Sequence, residues 1–281
     1  MLLAVSPMKP ATNSLERALA ILEILEQTPG GLRHAELSRR IAIPKSTCSY
    51  IVERLWKRGY LARDDASGRF KIGLTTVALA HGALREIGLR SIAEPALYKL
   101  TGETGLSAGI GVLERGRVLI IDRVEGSEFV RDAVEGVGEL PVRWAVRSRR
   151  YRVREDRDVG RELPAHSTAL GKVLLAHLPQ QQVLHLIAQH GLPRYTRKTI
   201  TSRVRLFREL DLVRKQGYAS ADEEHRSGLR SIAAPIRGAS GELSAGVALN
   251  GSLAEAAWAD RDLLIEKVKA AGREISRRAR Y

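Results

Sequence analysis

The residues with the most legible chemistry fall in one block, residues 41–61, IAIPKSTCSYIVERLWKRGYL. Lys45, Ser46, Thr47, Ser49 and Tyr50 place hydroxyls, a phenol and an ammonium on the first turns of what reads as a helix. Such groups exchange hydrogen bonds with base edges in a duplex major groove, and a lysine neutralises phosphate. On the other side, Cys48, Ile51, Val52 and Leu55 recur at i, i+3, i+4 and i+7, so that side faces a core. Lys57 continues the polar side, and Gly59 ends the helix. The chemistry indicated is recognition of double-stranded DNA.

Such a helix works only if neighbouring elements present it. Residues 34–41 read as a shorter helix with Ala35, Leu37 and Ile41 partly inward, which makes a helix-turn-helix with the block above. Residues 14–27 read as a preceding helix, capped by Ser14 or Asn13, with Leu15, Ala18, Leu19, Leu22 and Leu25 inward. After Gly59, residues 60–63 and 69–72 flank the turn 64–68, a β-hairpin that would be a wing, with Arg69 and Lys71 reaching phosphate or a minor groove. Residues 1–12 hold two prolines and no periodicity, and read as a disordered arm. Residues 74–90 read as a connecting helix between Gly73 and Gly88.

Composition agrees with a polyanion partner. The chain of 281 residues carries 46 Lys and Arg against 32 Asp and Glu, a net charge of +14. Residues 1–90 hold fourteen basic and eight acidic side chains, and residues 141–157 alone hold seven arginines against two acids. No apolar run approaches the roughly 18 residues of a membrane span, and the opening MLLAVSPMK lacks a secretory leader's pattern. A lone cysteine, Cys48, excludes an intrachain disulfide and argues against a zinc site. The expected location is the cytoplasm.

The remainder alternates strands and helices. Residues 92–101 read as a helix, residues 107–113 and 118–124 as a hairpin, and residues 128–134 as a third strand. Helices are expected from about 166 to 178, over 202–216 and over 260–278, with strands at 218–222, 231–236 and 243–250. Strands in the middle and helices at both ends suggest an α+β domain with helices on one face of the sheet.

Taken together, four stretches resemble the IclR-type bacterial transcriptional regulators over nearly the full chain: SLERALAILEIL at 14–25, the IPKST and ERLWKRGYL blocks within 43–61, LPAHSTALGKVLLAHL at 163–178 and GYASADEEHRSGLRSIAAPI at 217–236. The resemblance implies an α/β (α+β) chain: a winged helix-turn-helix at 13–73, a linker helix at 74–90 and a GAF-like effector-binding domain at 91–281. It further implies a homodimer or dimer of dimers on near-palindromic operator DNA, and a small organic effector, commonly a carboxylic acid or aromatic catabolite. The implied activity is repression of a catabolic operon, with no cofactor. Many members carry a His-Arg pair where this chain has Ser49-Tyr50, so its operator should differ.

Carried over residue by residue, the effector site falls on Ala169, Leu170, Ala221, Ser231, Ala248 and Asn250. Ala169 and Leu170 open a helix whose free N–H groups suit a carboxylate. Ala221 and Ala248 stand where relatives often have aspartate and serine, which points to a larger or more apolar ligand. His166 and Ser167 with Asp222 lack the pattern of a hydrolase nucleophile, and residues 222–225 lack metal-ligand spacing. The inserted VRWAVRSRRYRVRED reads as an arginine-bearing edge strand or a loop. Two other functions stay open: an enzyme fused to a DNA-binding module, and a charge-driven, non-specific nucleic-acid binder.

Overall fold

The computed structural model describes residues 13–126 and 159–279. The expected arm 1–12, the strand candidate 128–134 and the basic insertion 141–157 lie outside them. The chain divides into two compact units, Met1–Ile87 and Gly88–Tyr281.

In the first unit, helix α1 (Ser14–Glu26) starts at Asn13, whose Oδ1 accepts the Glu16 N–H at 2.9 Å, so Asn13 is the cap. Helices α2 (His34–Arg40) and α3 (Lys45–Lys57) follow. In the turn between them, Ser38 Oγ donates to the Ile43 carbonyl at 2.7 Å, and Ala42 adopts φ 53°, a left-handed geometry that costs a non-glycine residue about 1 kcal/mol. Strands β1 (Leu61–Arg63) and β2 (Phe70–Ile72) form an antiparallel wing, and Phe70 also bridges to Leu32. Ile21, Leu37, Cys48, Val52 and Leu61 fill the core between helices and wing. One expectation changes: Leu15 and Leu19 are exposed, as is Ala35. The buried face of α1 runs through Ile21 and Leu25, with Ala18 and Leu22 packed against it, and leaves those two leucines on its flank. Helix α4 (Thr75–Ile87) ends this unit.

In the second unit, α5 (Leu89–Thr104) begins three residues earlier than expected, directly after Gly88, which takes a left-handed turn. Strands β3 (Ser107–Glu114), β4 (Arg117–Val124), β5 (Glu162–Pro164), β6 (Ala219–Asp222), β7 (Leu229–Arg237) and β8 (Leu243–Ser252) form one antiparallel sheet in the order β5-β4-β3-β8-β7-β6. Helices α6 (Ala169–Ala176), α7 (Gln180–His190), α8 (Arg203–Gln216) and α9 (Arg261–Arg278) complete the unit.

Helices cover both faces of this sheet rather than one. On β8, side chains alternate. A methyl at Gly246 would meet Leu170 of α6 at 2.9 Å, whereas one at Gly272 of α9 would meet the Val247 side chain at 3.6 Å. Neighbouring residues of one strand thus face α6 and α9 respectively. Helix α7 and strand β5 were not anticipated. Val183, Leu186 and Ile187 at i, i+3 and i+4 between Pro179 and Gly191 were the available signal for α7, whereas a three-residue edge strand has no periodicity to read.

Candidate nucleic-acid interface and ligand pocket

Helix α3 has one polar, solvent-facing side and one apolar, buried side, the division that the sequence implied. Cys48, Ile51 and Val52 are buried, while Lys45, Ser46, Tyr50 and Lys57 are exposed and Thr47 and Ser49 are half-buried. Lys57 Nζ pairs with Glu53 Oε1 at 2.8 Å between two exposed side chains, an arrangement worth a few tenths of a kcal/mol. Tyr50 Oη accepts a hydrogen bond from Arg54 Nη2 at 3.0 Å, and the Arg54 guanidinium carbon lies 5.1 Å from the Tyr50 ring centroid. Arg54 was not singled out from the sequence. The usable signal was its i+4 spacing from Tyr50.

The wing holds its expected cations differently. Arg69 Nη1 donates to the Gly31 carbonyl at 2.7 Å and lies 3.4 Å from Glu36 Oε2. Glu36 also accepts the Arg33 N–H at 2.8 Å; that bond and the neighbouring arginines hold its carboxyl below the ordinary range. Arg69 therefore ties the wing to the start of α2. Lys71 faces Asp64 at 3.8 Å, and the Asp64 carboxylate accepts the Ser67 N–H at 2.8 Å to shape the turn.

In the second unit, the six residues carried over from the family pattern gather where α6 meets the sheet. Thr168 caps α6: its Oγ1 accepts the Gly171 N–H at 3.2 Å, and its carbonyl accepts the Lys172 N–H at 2.9 Å. That leaves the Ala169 and Leu170 N–H groups without an acceptor inside the helix. Across the sheet, Ala221 pairs with Ser231 and Ser231 with Asn250, while Ala248 pairs with Ala233 and Gly109. Ala169, Leu170, Ala221, Ser231 and Ala248 are buried, and Asn250 is half-buried. Leu170 lies over Gly111 and Gly246, which have no side chain to displace it.

Lys172 is 1% exposed. Its Nζ donates to Glu209 Oε1 at 2.8 Å and to Glu224 Oε1 at 2.7 Å. Burial nonetheless raises the Glu224 carboxyl above its ordinary range, against the pull of Lys172. Beside the α6 N-terminus, the rings of His166 and Tyr195 lie 5.8 Å apart, and those of Tyr195 and His225 5.0 Å apart. His166 Nε2 bonds to the Pro193 carbonyl at 3.0 Å. His225 is held neutral, its pKa lowered to about 4, chiefly by burial and secondarily by Arg161 and His166. Among the described residues Ser167 Oγ and His225 Nδ1 are buried without a hydrogen-bond partner. A cavity of about 40 Å³ opens next to these groups, between His166, Tyr195, Leu175, Val183 and Leu206, and none of the six carried-over residues lines it. Among the described residues no cluster of three or more His, Cys, Asp or Glu is placed to hold a metal ion.

Both units match one family. The model of the IclR helix-turn-helix domain matches residues 14–65, and that of the bacterial transcriptional regulator IclR C-terminal matches residues 145–277. The chain belongs to the IclR family of bacterial transcriptional regulators. It is a DNA-binding regulator built of a helix-turn-helix unit and an IclR C-terminal unit. HTH-type transcriptional regulator XynR of Escherichia coli is 27% identical over 97% of this chain and 99% of its own. Transcriptional repressor IclR of the same organism is 28% identical over 89% of this chain and 84% of its own. The Thermotoga maritima IclR structure superposes with a TM-score of 0.67 at 25% identity, covering 96% of this chain and 99% of that one. An IclR homolog from Microbacterium hydrocarbonoxydans, complexed with 4-hydroxybenzoate, shares the fold with a TM-score of 0.75 at 24% identity, over 95% of this chain and 99% of that one. Among the described residues no helix is long and apolar enough to cross a membrane.

Proposed function

We propose that this IclR-family protein is a repressor of a catabolic operon whose hold on operator DNA is released by a small organic acid. The observation that carries the reading is the polarity of α3: Ser46 and Tyr50 are exposed opposite Cys48, Ile51 and Val52, which are buried, and Lys45 is exposed at the first turn. In this reading Ser46, Thr47, Ser49 and Tyr50 meet base edges, and Lys45 and Lys57 meet phosphates. Arg69 serves mainly to hold the wing. Two copies in a homodimer, or a dimer of dimers, would set two α3 helices about one DNA turn apart.

The ligand would approach the free N–H groups of Ala169 and Leu170 with its carboxylate, since a helix N-terminus carries unsatisfied donors and a positive dipole end. Ser231 and Asn250, paired across β7 and β8, would supply a hydroxyl and an amide. Ala221 and Ala248 offer no hydrogen bond, which favours an aromatic or otherwise largely apolar acid over a very small oxo-acid. The Microbacterium homolog's 4-hydroxybenzoate is of this class. The protein acts by binding, not turnover: His166 is engaged with the Pro193 carbonyl and serves the architecture. Ligand control works only through different affinities for the DNA-competent and DNA-released arrangements.

Fluorescence anisotropy with DNA from upstream of the gene and with shuffled DNA of equal length tests the reading. At moderate salt the upstream fragment should bind at least tenfold more tightly, and Ser46→Ala with Tyr50→Ala should erase that difference. A panel of benzoates should weaken binding of the wild type and not of Ser231→Leu. Equal affinity for both DNAs would reduce the protein to a charge-driven binder and overturn the proposal.

A further inference from the structure

On α3 the three basic side chains are held in three different ways. Lys45 stands exposed at the first turn. Lys57 is engaged with Glu53. Arg54 is fixed to Tyr50 twice over, by the 3.0 Å hydrogen bond to the hydroxyl and by the 5.1 Å approach of its guanidinium to the ring. Tyr50 is itself 58% exposed and belongs to the groove-facing side. Helix side chains lean toward the N-terminus, onto the residue four earlier. Arg54 is therefore drawn back toward the half of α3 that carries Ser46 and Ser49.

A guanidinium has five N–H donors in a planar fork, and the Tyr50 hydroxyl occupies one of them. The remaining donors suit the two acceptors, O6 and N7, that guanine presents in the major groove. Stacking on a ring fixes the plane of the fork before DNA arrives, so less rotamer freedom is lost on contact. A free arginine at the same position would serve equally as a diffuse phosphate counter-charge. One clamped beside base-reading hydroxyls is shaped for a particular edge.

We propose that Arg54 reads a guanine edge in each half-site and that Tyr50, beside any base contact of its own, is the residue that positions it. This rests on α3 being the recognition helix, as argued above. It makes Arg54 a specificity determinant and gives the Tyr50 phenol an additional, positioning role that its exposure alone does not reveal.

Selection from randomised duplex DNA by the purified full chain, followed by affinity measurements across a salt series, tests the proposal. Wild type should select a site with a fixed G·C pair in each half. Arg54→Ala should lose preference at that pair by on the order of 10- to 100-fold, with preference at the other positions kept. Tyr50→Phe, which retains the ring and drops the hydroxyl, should lose part of that preference, and Arg54→Lys should not restore it. Unchanged circular dichroism and melting would show that these variants fold. If Arg54→Ala weakens all sequences alike and lowers the salt slope by about 1, Arg54 is a phosphate contact and the proposal falls. If Arg54→Ala changes nothing, the pair merely supports the helix, and the proposal falls as well. A wild type that selects no common sequence overturns the regulator reading, and this assignment with it.

Discussion

Lys172 and Glu224 meet across 2.7 Å inside the C-terminal unit, joining α6 to the turn that follows β6. Their partner Glu209 lies on α8, so one ammonium binds three elements. The buried charge is tolerable because both of its ion-pair partners stay in reach. Lys172→Met should destabilise the unit by about 3 kcal/mol, since it strands a largely buried carboxylate. Adding Glu224→Gln should recover part of that loss, a coupling that urea denaturation of the four variants in a double-mutant cycle would measure.

His225 makes stability depend on pH. Its folded pKa of about 4 lies below the ordinary 6.5, so the unfolded chain takes up the proton first as pH falls. The stability associated with this group is complete above pH 6.5 and declines through the window from there to about 4, by up to roughly 1.4 kcal/mol per pH unit. His166 and His177 are lowered by burial in the same direction. His225→Phe, which keeps an aromatic ring against Tyr195, should flatten the decline in unfolding free energy between pH 7 and pH 5. An unchanged decline would assign it to the other histidines.

Arg69 separates support of the wing from contact with DNA. Arg69→Ala removes the bond to the Gly31 carbonyl and the partly exposed pair with Glu36, and should cost about 1 kcal/mol of stability after solvent screening. The slope of log affinity against log salt should stay as in the wild type. Lys45→Ala should do the reverse, leaving the melting temperature unchanged and lowering that slope by about 1.

Gly171 is required by close approach, not by an unusual backbone angle. A methyl placed there would stand 2.2 Å from the Ala165 carbonyl oxygen and 2.3 Å from its Cα, both main-chain atoms that cannot swing aside. Gly171→Ala should cost about 3 kcal/mol or more and shift the start of α6. Loss of near-ultraviolet ellipticity and a lower melting temperature would report it. Gly160→Ala is a fair contrast, since no atom of the described residues lies within 4 Å of its added methyl and its left-handed φ is what is penalised.

The sequence alone determined the elements whose reasons are local. The helix-turn-helix and wing were legible because apolar spacing, Gly59 and the 64–68 turn act over a few residues. The same holds for the strands at 107–113 and 243–250, and for the face of α3 that meets solvent. Four motifs in order gave the family, and with it the expected place of a ligand. Only the tertiary structure decided what depends on residues far apart in the chain. It set helices on both faces of the sheet, turned Arg69 inward to Gly31, and brought Glu209 and Glu224, 37 and 52 residues away, onto Lys172. It also gave Arg54 to Tyr50, where spacing permits the contact but cannot choose between it and solvent. Periodicity tells which side of an element is apolar. Which distant charge or surface meets that side is settled by desolvation and packing once the whole chain has closed.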